Sequence, residues 1–108
     1  MANSFTLKRG DTSPSIIFSL APTSVVLTGA TARFSMRSRF TGAIKVNRAV
    51  AVVVTATGTP TVRYDWQSAD SDTSGSYEAE FEITYAGGAV ETFPNSGFIP
   101  VEISGDIA

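Results

Sequence analysis

The most regular alternation of apolar and polar residues lies between positions 77 and 85. Tyrosine, alanine, phenylalanine and isoleucine occupy every second position, and the positions between them are Glu78, Glu80, Glu82 and Thr84. Successive side chains of a β-strand point to opposite faces, so this pattern predicts a half-buried strand with an apolar inner face. The Gly87-Gly88 pair that follows favours a tight turn, because glycine tolerates positive φ. Residues 90–93 are therefore expected to run back as the second strand of a hairpin.

Shorter segments with strand-like patterns fill the rest of the chain. They are residues 4–8, 15–20, 30–39, 44–57, 61–66 and 98–103, with a short extended piece at 25–27. Residues 67–70 suit one 3₁₀ turn, and no segment repeats apolar residues at helical spacing over three turns. Seven or eight short strands separated by turn signals predict an all-β fold. We expect a single immunoglobulin-like antiparallel β-sandwich, with residues 1–108 forming one domain.

Two strand segments carry predictions about their neighbours. Residues 49–57 (AVAVVVTAT) lack charge and have high β-propensity, which makes such a run prone to aggregate at an exposed edge. This run is expected to be paired on both sides or covered by a partner. Pro100 interrupts the last segment, and a proline there suits an edge strand or a bulge.

The residues before position 77 are similar to the tyrosine corner of immunoglobulin-like sandwiches. In that corner, a tyrosine near the start of a strand donates a hydrogen bond back to the preceding backbone. Gly75 stands two residues before Tyr77, as in the corner, whereas Thr73 replaces the usual aspartate and Ala79 stands in place of the disulfide cysteine. Trp66 also comes too late in the chain for the core tryptophan of antibody domains. The pattern predicts an immunoglobulin-like fold that is not of the antibody type.

Composition removes several kinds of chemistry. The chain has no cysteine and no histidine, so thiolate chemistry, Cys-based metal sites and the commonest general base are absent. We find no nucleophile–base pair and no Gly-rich phosphate loop, and we expect a protein that is not an enzyme and has no cofactor or metal. No apolar run approaches a membrane span and the N-terminus lacks a signal-peptide core, so no membrane contact is expected.

The charges are distributed unevenly. All eight basic residues lie in residues 1–63, whereas nine of the ten acidic residues lie in 64–108. A basic half can indicate nucleic-acid binding, but these arginines are spread along strands and the aromatic residues fall on inner faces, so no nucleic acid is expected.

If the strand at 30–39 lies beside the strand at 77–85, Arg33 and Arg37 face the glutamates and form cross-strand pairs. Alternatively, the basic edge of one copy meets the acidic edge of the next. The candidate assembly contacts are Arg33, Arg37, Arg39, Glu78, Glu80 and Glu82.

Two acidic patterns have alternative interpretations. Paired carboxylates perform glycoside hydrolysis, but that chemistry also needs a cleft and one acid held neutral by burial. Residues 70–75 (DSDTSG) begin like a calcium-binding EF-hand loop, but Phe81 occupies the position of the bidentate glutamate and the flanking helices are missing. A solvated turn with local hydrogen bonds is the better interpretation of this segment.

Several spaced motifs carry a resemblance to a known family. They are LKRGDT at 7–12, LTGATARFSMR at 27–37, VRYDW at 62–66, and residues 75–103 with ETFPN at 91–95. Together they resemble the immunoglobulin-like N-terminal domain of the baseplate upper proteins (BppU type) of tailed phages and prophages. The resemblance covers nearly the whole chain and implies a virion structural role without catalysis. It assigns no binding residues.

The chain ends at Ala108, whereas a baseplate upper protein continues into a part that carries receptor-binding proteins. We therefore expect a stand-alone virion protein, made in the host bacterial cytoplasm, that docks on the particle in many copies as a capsid decoration or minor capsid protein. Its expected partners are the major capsid protein or tail and baseplate proteins, or further copies of itself. The alternatives are a tail or baseplate component and a host-surface binding module that uses loops 39–42 and 67–74.

Overall fold

A computed structural model describes residues 4–20 and 25–105 of the chain, and in these it contains eight β-strands and one 3₁₀ turn. The strands are β1 (Phe5–Lys8), β2 (Ile16–Ser19), β3 (Thr31–Ser38), β4 (Ile44–Thr55), β5 (Thr61–Tyr64), β6 (Gly75–Thr84), β7 (Val90–Phe93) and β8 (Ile99–Ser104). The 3₁₀ turn spans Ser68–Ser71, next to the position expected from the sequence. Within the described residues no helix is long and apolar enough to cross a membrane.

The strands form an immunoglobulin-like sandwich whose two sheets share β4. In the first sheet the order is β1, β8, β6, β3 and β4, and β7 pairs with the end of β6 beyond β8. In the second sheet β5 lies between β2 and β4. Strand β4 pairs with β3 through residues 44–51 and with β5 through residues 52–55, so it passes from one sheet to the other. The fold class expected from the sequence is confirmed.

The alternation of residues 77–85 predicts the burial of β6. Its odd-numbered residues from Tyr77 to Ile83 are buried and the residues between them are partly exposed. Strand β3 alternates in the same way, with Ala32, Phe34 and Met36 buried. The hairpin from β6 to β7 also forms, with Tyr85 and Ala89 joined by a backbone hydrogen bond of 2.8 Å.

Aromatic side chains fill the space between the sheets. Phe34 on β3 stacks on Tyr64 on β5 with ring centroids 4.4 Å apart, and Trp66 packs edge-on against both rings. At another point of the interior, Phe18 on β2 stacks on Phe81 on β6 at 6.1 Å. These pairs join opposite sheets, so each aromatic residue removes apolar surface of both sheets from water. Six aromatic residues were predicted to face inward, and of these only Tyr85 is half-buried rather than buried; the other five are Phe34, Tyr64, Trp66, Tyr77 and Phe81.

The strand pairing corrects one expectation and adds detail to two others. Strands β1 and β8 are parallel, whereas every other strand pair is antiparallel. Residues 25–27, expected as a short extended piece, do not form a strand: the N–H of buried Leu27 donates a hydrogen bond of 2.8 Å to the Ala56 carbonyl oxygen, and its own carbonyl oxygen accepts one of 2.9 Å from the Ala30 N–H. Of the two alternatives expected for the run 49–57, pairing on both sides does not occur, because each part of β4 has only one neighbouring strand among the described residues, and cover by a partner stays a prediction.

Pro100 fits the strand that contains it for a local reason. Strand β1 begins pairing with β8 at Val101, so on that side Pro100 has no ladder partner. On the other side Pro100 lies opposite Glu78 of β6. The missing backbone N–H of proline therefore costs no hydrogen bond to β1 at this residue, although the expectation of an edge strand is wrong, because β8 lies between β1 and β6.

Candidate functional site

The outward side of β3 and β6 carries two facing rows of charge, which we name the charged face. Arg33 lies opposite Glu82, and Arg37 lies opposite Glu78. Between these pairs, Ser35 lies opposite Glu80. The antiparallel register of β3 and β6 therefore brings together five of the six predicted contact residues, as the cross-strand interpretation expects.

The ion pairs of the charged face are not all the expected ones. Arg37 Nη2 lies 3.1 Å from Glu78 Oε1, and Arg37 Nε also donates a hydrogen bond to that oxygen. Glu82 pairs instead with Arg48 of β4, whose Nη2 lies 2.6 Å from Glu82 Oε1 without the angle of a hydrogen bond. Arg33 donates a hydrogen bond of 3.2 Å to the Arg48 carbonyl oxygen. The alternation of residues does not predict the place of Arg48, since that place depends on a bulge in β4.

That bulge has a clear backbone signature. Arg48 has φ of 52°, the only positive φ of a non-glycine residue among those described. Its N–H donates a hydrogen bond of 3.1 Å to Ser35 Oγ, and the β3–β4 register shifts between Phe34 and Met36. The extra residue in β4 turns the Arg48 side chain toward the charged face.

Two predicted contact residues stand apart from these pairs. Glu80 is partly exposed, and no described residue forms an ion pair or hydrogen bond with its carboxylate. Arg39 lies beyond the end of β3 and is exposed, with its guanidinium carbon 5.9 Å from the centre of the Phe40 ring. The structure thus places Arg39 with the loop that follows β3.

Exposed apolar residues flank the charged rows. Ile44 and Val50 on β4 are 62% and 72% exposed. On the other flank, the Phe98 ring lies 4.7 Å from the guanidinium carbon of Arg37. The charged face therefore combines a polar centre with apolar margins, a composition that differs from an ordinary solvated sheet surface.

Strand β4 presents a second feature, its unpaired edge. At each position from 44 to 55 the strand has only one neighbour among the described residues, which is β3 up to residue 51 and β5 from residue 52. Val52 and Val54 in the second sheet are exposed and carry no charge beside them on the same strand. Free N–H and C=O groups beside apolar side chains can accept another chain, which natural proteins usually prevent with charges or proline.

Loops 39–42 and 67–74, predicted as binding loops, contribute to one groove. The groove has a volume of about 540 Å³ and is lined by residues 38, 40, 41, 43–45 and 73–77. Phe40 at its rim is 80% exposed. Lys45 on one wall pairs with Asp72, and the hydrogen bonds from Lys45 and Thr73 lower the pKa of the Asp72 carboxyl.

Asp70 and Asp72, the two aspartates of loop 67–74, point in different directions. Asp70 is buried and accepts hydrogen bonds from Tyr64 Oη (2.5 Å) and the Gln67 N–H (2.8 Å). Burial and the Asp70 hydrogen bond raise the pKa of the Tyr64 phenol. Asp72 is exposed and binds Lys45. Asp70 therefore caps the 3₁₀ turn from inside rather than standing in a solvated turn, and no cluster of metal-binding residues occurs in the described part of the chain.

Comparisons with protein-family models, curated proteins and solved structures found no match to this chain.

Proposed function

We propose that this protein is a structural component of a tailed-phage virion that docks in many copies as a capsid decoration or minor capsid protein. The proposal rests on the resemblance of residues 7–12, 27–37, 62–66 and 75–103 to an immunoglobulin-like virion domain. The all-β immunoglobulin-like sandwich is the fold that this resemblance implies. A module of this kind acts by presenting surfaces to neighbouring proteins.

The observation that carries the proposal is the unpaired edge of β4. Strand β4 is bonded to only one described neighbour at each position, and its stretch from residue 49 to residue 55 exposes valines and carries no charge, which is a liability for a free monomer. The same edge is useful in an assembly, where a neighbouring protein covers the valines and can pair with the free backbone groups. Docking on a particle would cover this edge and so remove the liability.

The charged face supports a role without catalysis. Glycoside hydrolysis by two carboxyl groups needs one of them protonated inside an apolar site. Here Glu78 and Glu82 lie on the surface of a sheet, and each forms an ion pair with an arginine. Paired surface carboxylates of this kind stabilise strand pairing and protein contacts.

Fractionation of virions tests the location. Particles of a phage that encodes the chain are separated into heads and tails, and the chain is quantified in each fraction by mass spectrometry. Copies in the hundreds with the heads would support capsid decoration. A small number of copies with the tails would replace it with a tail or baseplate component, the alternative that the resemblance favours. Absence from both fractions would overturn the virion proposal.

The groove at loops 39–42 and 67–74 favours a second candidate function, binding of a host-surface glycan or protein. Its exposed Phe40 is the kind of residue on which a sugar ring or a peptide side chain can stack. A glycan array and a host-cell binding assay compare the protein with its Phe40→Ala variant. Binding lost in the variant would support this function, and an absence of binding by the unaltered protein would exclude it.

A further inference from the structure

The residues of the charged face are arranged in rows that run across four strands. Ladder partners in neighbouring strands define each row. The first row, from β4 to β8, reads Ile44, Arg37, Glu78 and Pro100. Its centre is a basic residue beside an acidic one, and both of its ends are uncharged.

A second row has the same order of charge. From β4 to β7 it reads Val50, Arg33, Glu82 and Thr92. Reversing either row exchanges the basic and acidic positions and leaves an uncharged residue at each end. Both rows share this property because their basic residues, Arg33 and Arg37, come from β3 and their acidic residues, Glu78 and Glu82, come from β6, whereas Glu102 of β8 lies opposite Ser76, outside the two rows.

We propose that two copies of this protein pair through their charged faces, about a two-fold axis that runs parallel to β3 and β6 and between them. Such an axis turns the second copy over and reverses each row. Arg33 then faces Glu82 of the second copy, and Arg37 faces Glu78 of the second copy. At the margins, Ile44 faces Pro100 of the second copy, so apolar area meets apolar area.

The middle row explains the carboxylate of Glu80, which has no partner among the described residues of its own chain. Ser35 and Glu80 form this row, and Arg48 of β4 lies beside it, with its backbone N–H bonded to Ser35 Oγ and its guanidinium paired with Glu82. In the pair, Glu80 faces Ser35 of the second copy and comes close to its Arg48. The axis therefore offers Glu80 both a hydroxyl donor and a positive charge.

The size of the face sets the strength that we expect. Four strands about 4.8 Å apart and about eight residues long cover roughly 500 Å² of flat area, and more accessible area once side chains are included. This is near the lower end for a specific interface, so we expect a dissociation constant on the order of micromolar. Sheets that pack face to face keep their strands within about 30° of one another, which agrees with an axis along the strands.

Sedimentation velocity of the purified chain from about 1 µM to about 200 µM tests the pairing. We expect a monomer–dimer equilibrium that shifts toward monomer as salt concentration rises, because the central contacts are charged. A chain that stays monomeric over the whole range would overturn the proposal. The measurement uses protein in solution, so its result is independent of any location in a virion.

Two charge-reversal variants test the orientation. Arg33→Glu puts a carboxylate opposite Glu82 of the second copy, and Glu82→Arg puts a second guanidinium opposite Arg33 of the second copy. Each variant alone should dimerise at least about tenfold more weakly than the unaltered chain. An equimolar mixture should dimerise again, because the heterodimer restores both opposite-charge contacts.

A matched control separates this interface from general effects of charge. Arg63→Glu makes the same change of charge on β5, in the second sheet, and should leave the dissociation constant unchanged. Circular dichroism and Trp66 fluorescence confirm folding of each variant. Dimers of undiminished strength in Arg33→Glu, or a mixture that stays monomeric, would overturn the proposed axis.

Discussion

The hydroxyl of Tyr77 fastens the start of β6 to the loop before it. Tyr77 is buried, and its Oη donates a hydrogen bond of 2.8 Å to the Thr73 carbonyl oxygen. Removing the hydroxyl in Tyr77→Phe leaves this carbonyl without its partner. We expect the free energy of unfolding to fall by about 1–2 kcal/mol, measured by urea denaturation.

Thr73→Ala is the control for this prediction, because it changes the side chain and keeps the carbonyl acceptor. Its free energy of unfolding should change by less than about 0.5 kcal/mol, as at other exposed positions. Equal losses in the two variants would mean that the loop, rather than the Tyr77 hydrogen bond, is the source of stability.

Tyr85 predicts a dependence of stability on alkaline pH. Burial, with a hydrogen bond from its hydroxyl to Glu91 and the charge of that residue, raises the pKa of Tyr85 from 10.0 to about 12. A pKa that is higher in the folded state means that the contribution to stability is complete below pH 10 and is lost as the pH rises through 12. The unfolding free energy of the unaltered chain should fall more steeply over this window than that of Tyr85→Phe. Parallel curves would contradict the assignment.

Some contacts of individual residues can be predicted from the sequence alone, and others cannot. The tyrosine corner follows from Gly75 and Tyr77, which lie close in the chain and fit a known local pattern. The pairing of Glu82 with Arg48 rather than Arg33 does not, because it depends on a bulge 34 residues away from Glu82 in the chain. The Tyr64–Asp70 hydrogen bond was missed for a related reason: alternation puts Tyr64 inside, but no pattern indicates that Asp70 turns inward.

At the scale of elements, the alternation in β4 distinguishes its two sides. Val54 is 48% exposed, whereas Ala51 is buried in the core. Val54→Lys should keep the unfolding free energy within about 0.5 kcal/mol and slow aggregation of the folded protein, because a lysine on an edge strand opposes pairing with another chain. Light scattering during incubation and urea denaturation measure the two effects.

Ala51→Lys serves as the contrasting variant, since it places a charge against the apolar core. It should be strongly destabilised or fail to fold. If Val54→Lys aggregates as fast as the unaltered chain while remaining folded, the β4 edge is not the surface through which copies associate nonspecifically.

Element boundaries were predicted to within about two residues wherever alternation continued, as in β3, β6 and β7. The partners of the strands were harder to predict. Strand β1 pairs with β8, which lies nearly the whole length of the chain away in sequence. The residue patterns of these two strands do not reveal that they run parallel to each other. Residues 25–27 have the β-branched composition of a strand but not its ladder, since the backbone of Leu27 bonds once to Ala56 and once to the nearby Ala30. Pairing is decided by long-range packing, which a local pattern does not contain.

At the scale of the whole molecule, β6 is the strand around which the first sheet is built. It pairs with β3 along one side, and β8 and β7 share its other side. Strands β1, β2 and β4 are bonded on one side only at each position among the described residues. The molecule therefore has a rigid centre and several edges, an arrangement that suits a module whose edges and outer face contact other proteins.

This arrangement predicts an order of amide hydrogen exchange. Backbone N–H groups that bond to two-sided, buried strands open only when much of the fold opens, whereas edge strands open locally. Amides of β3 and β6 should exchange slowest, with protection close to the global free energy of unfolding. Amides of β2 and of residues 52–55 in β4 should exchange faster, which mass spectrometry of peptic fragments can measure. Protection in residues 52–55 equal to that of β6 would show that the second sheet opens only together with the first, so that the β4 edge is as rigid as the centre.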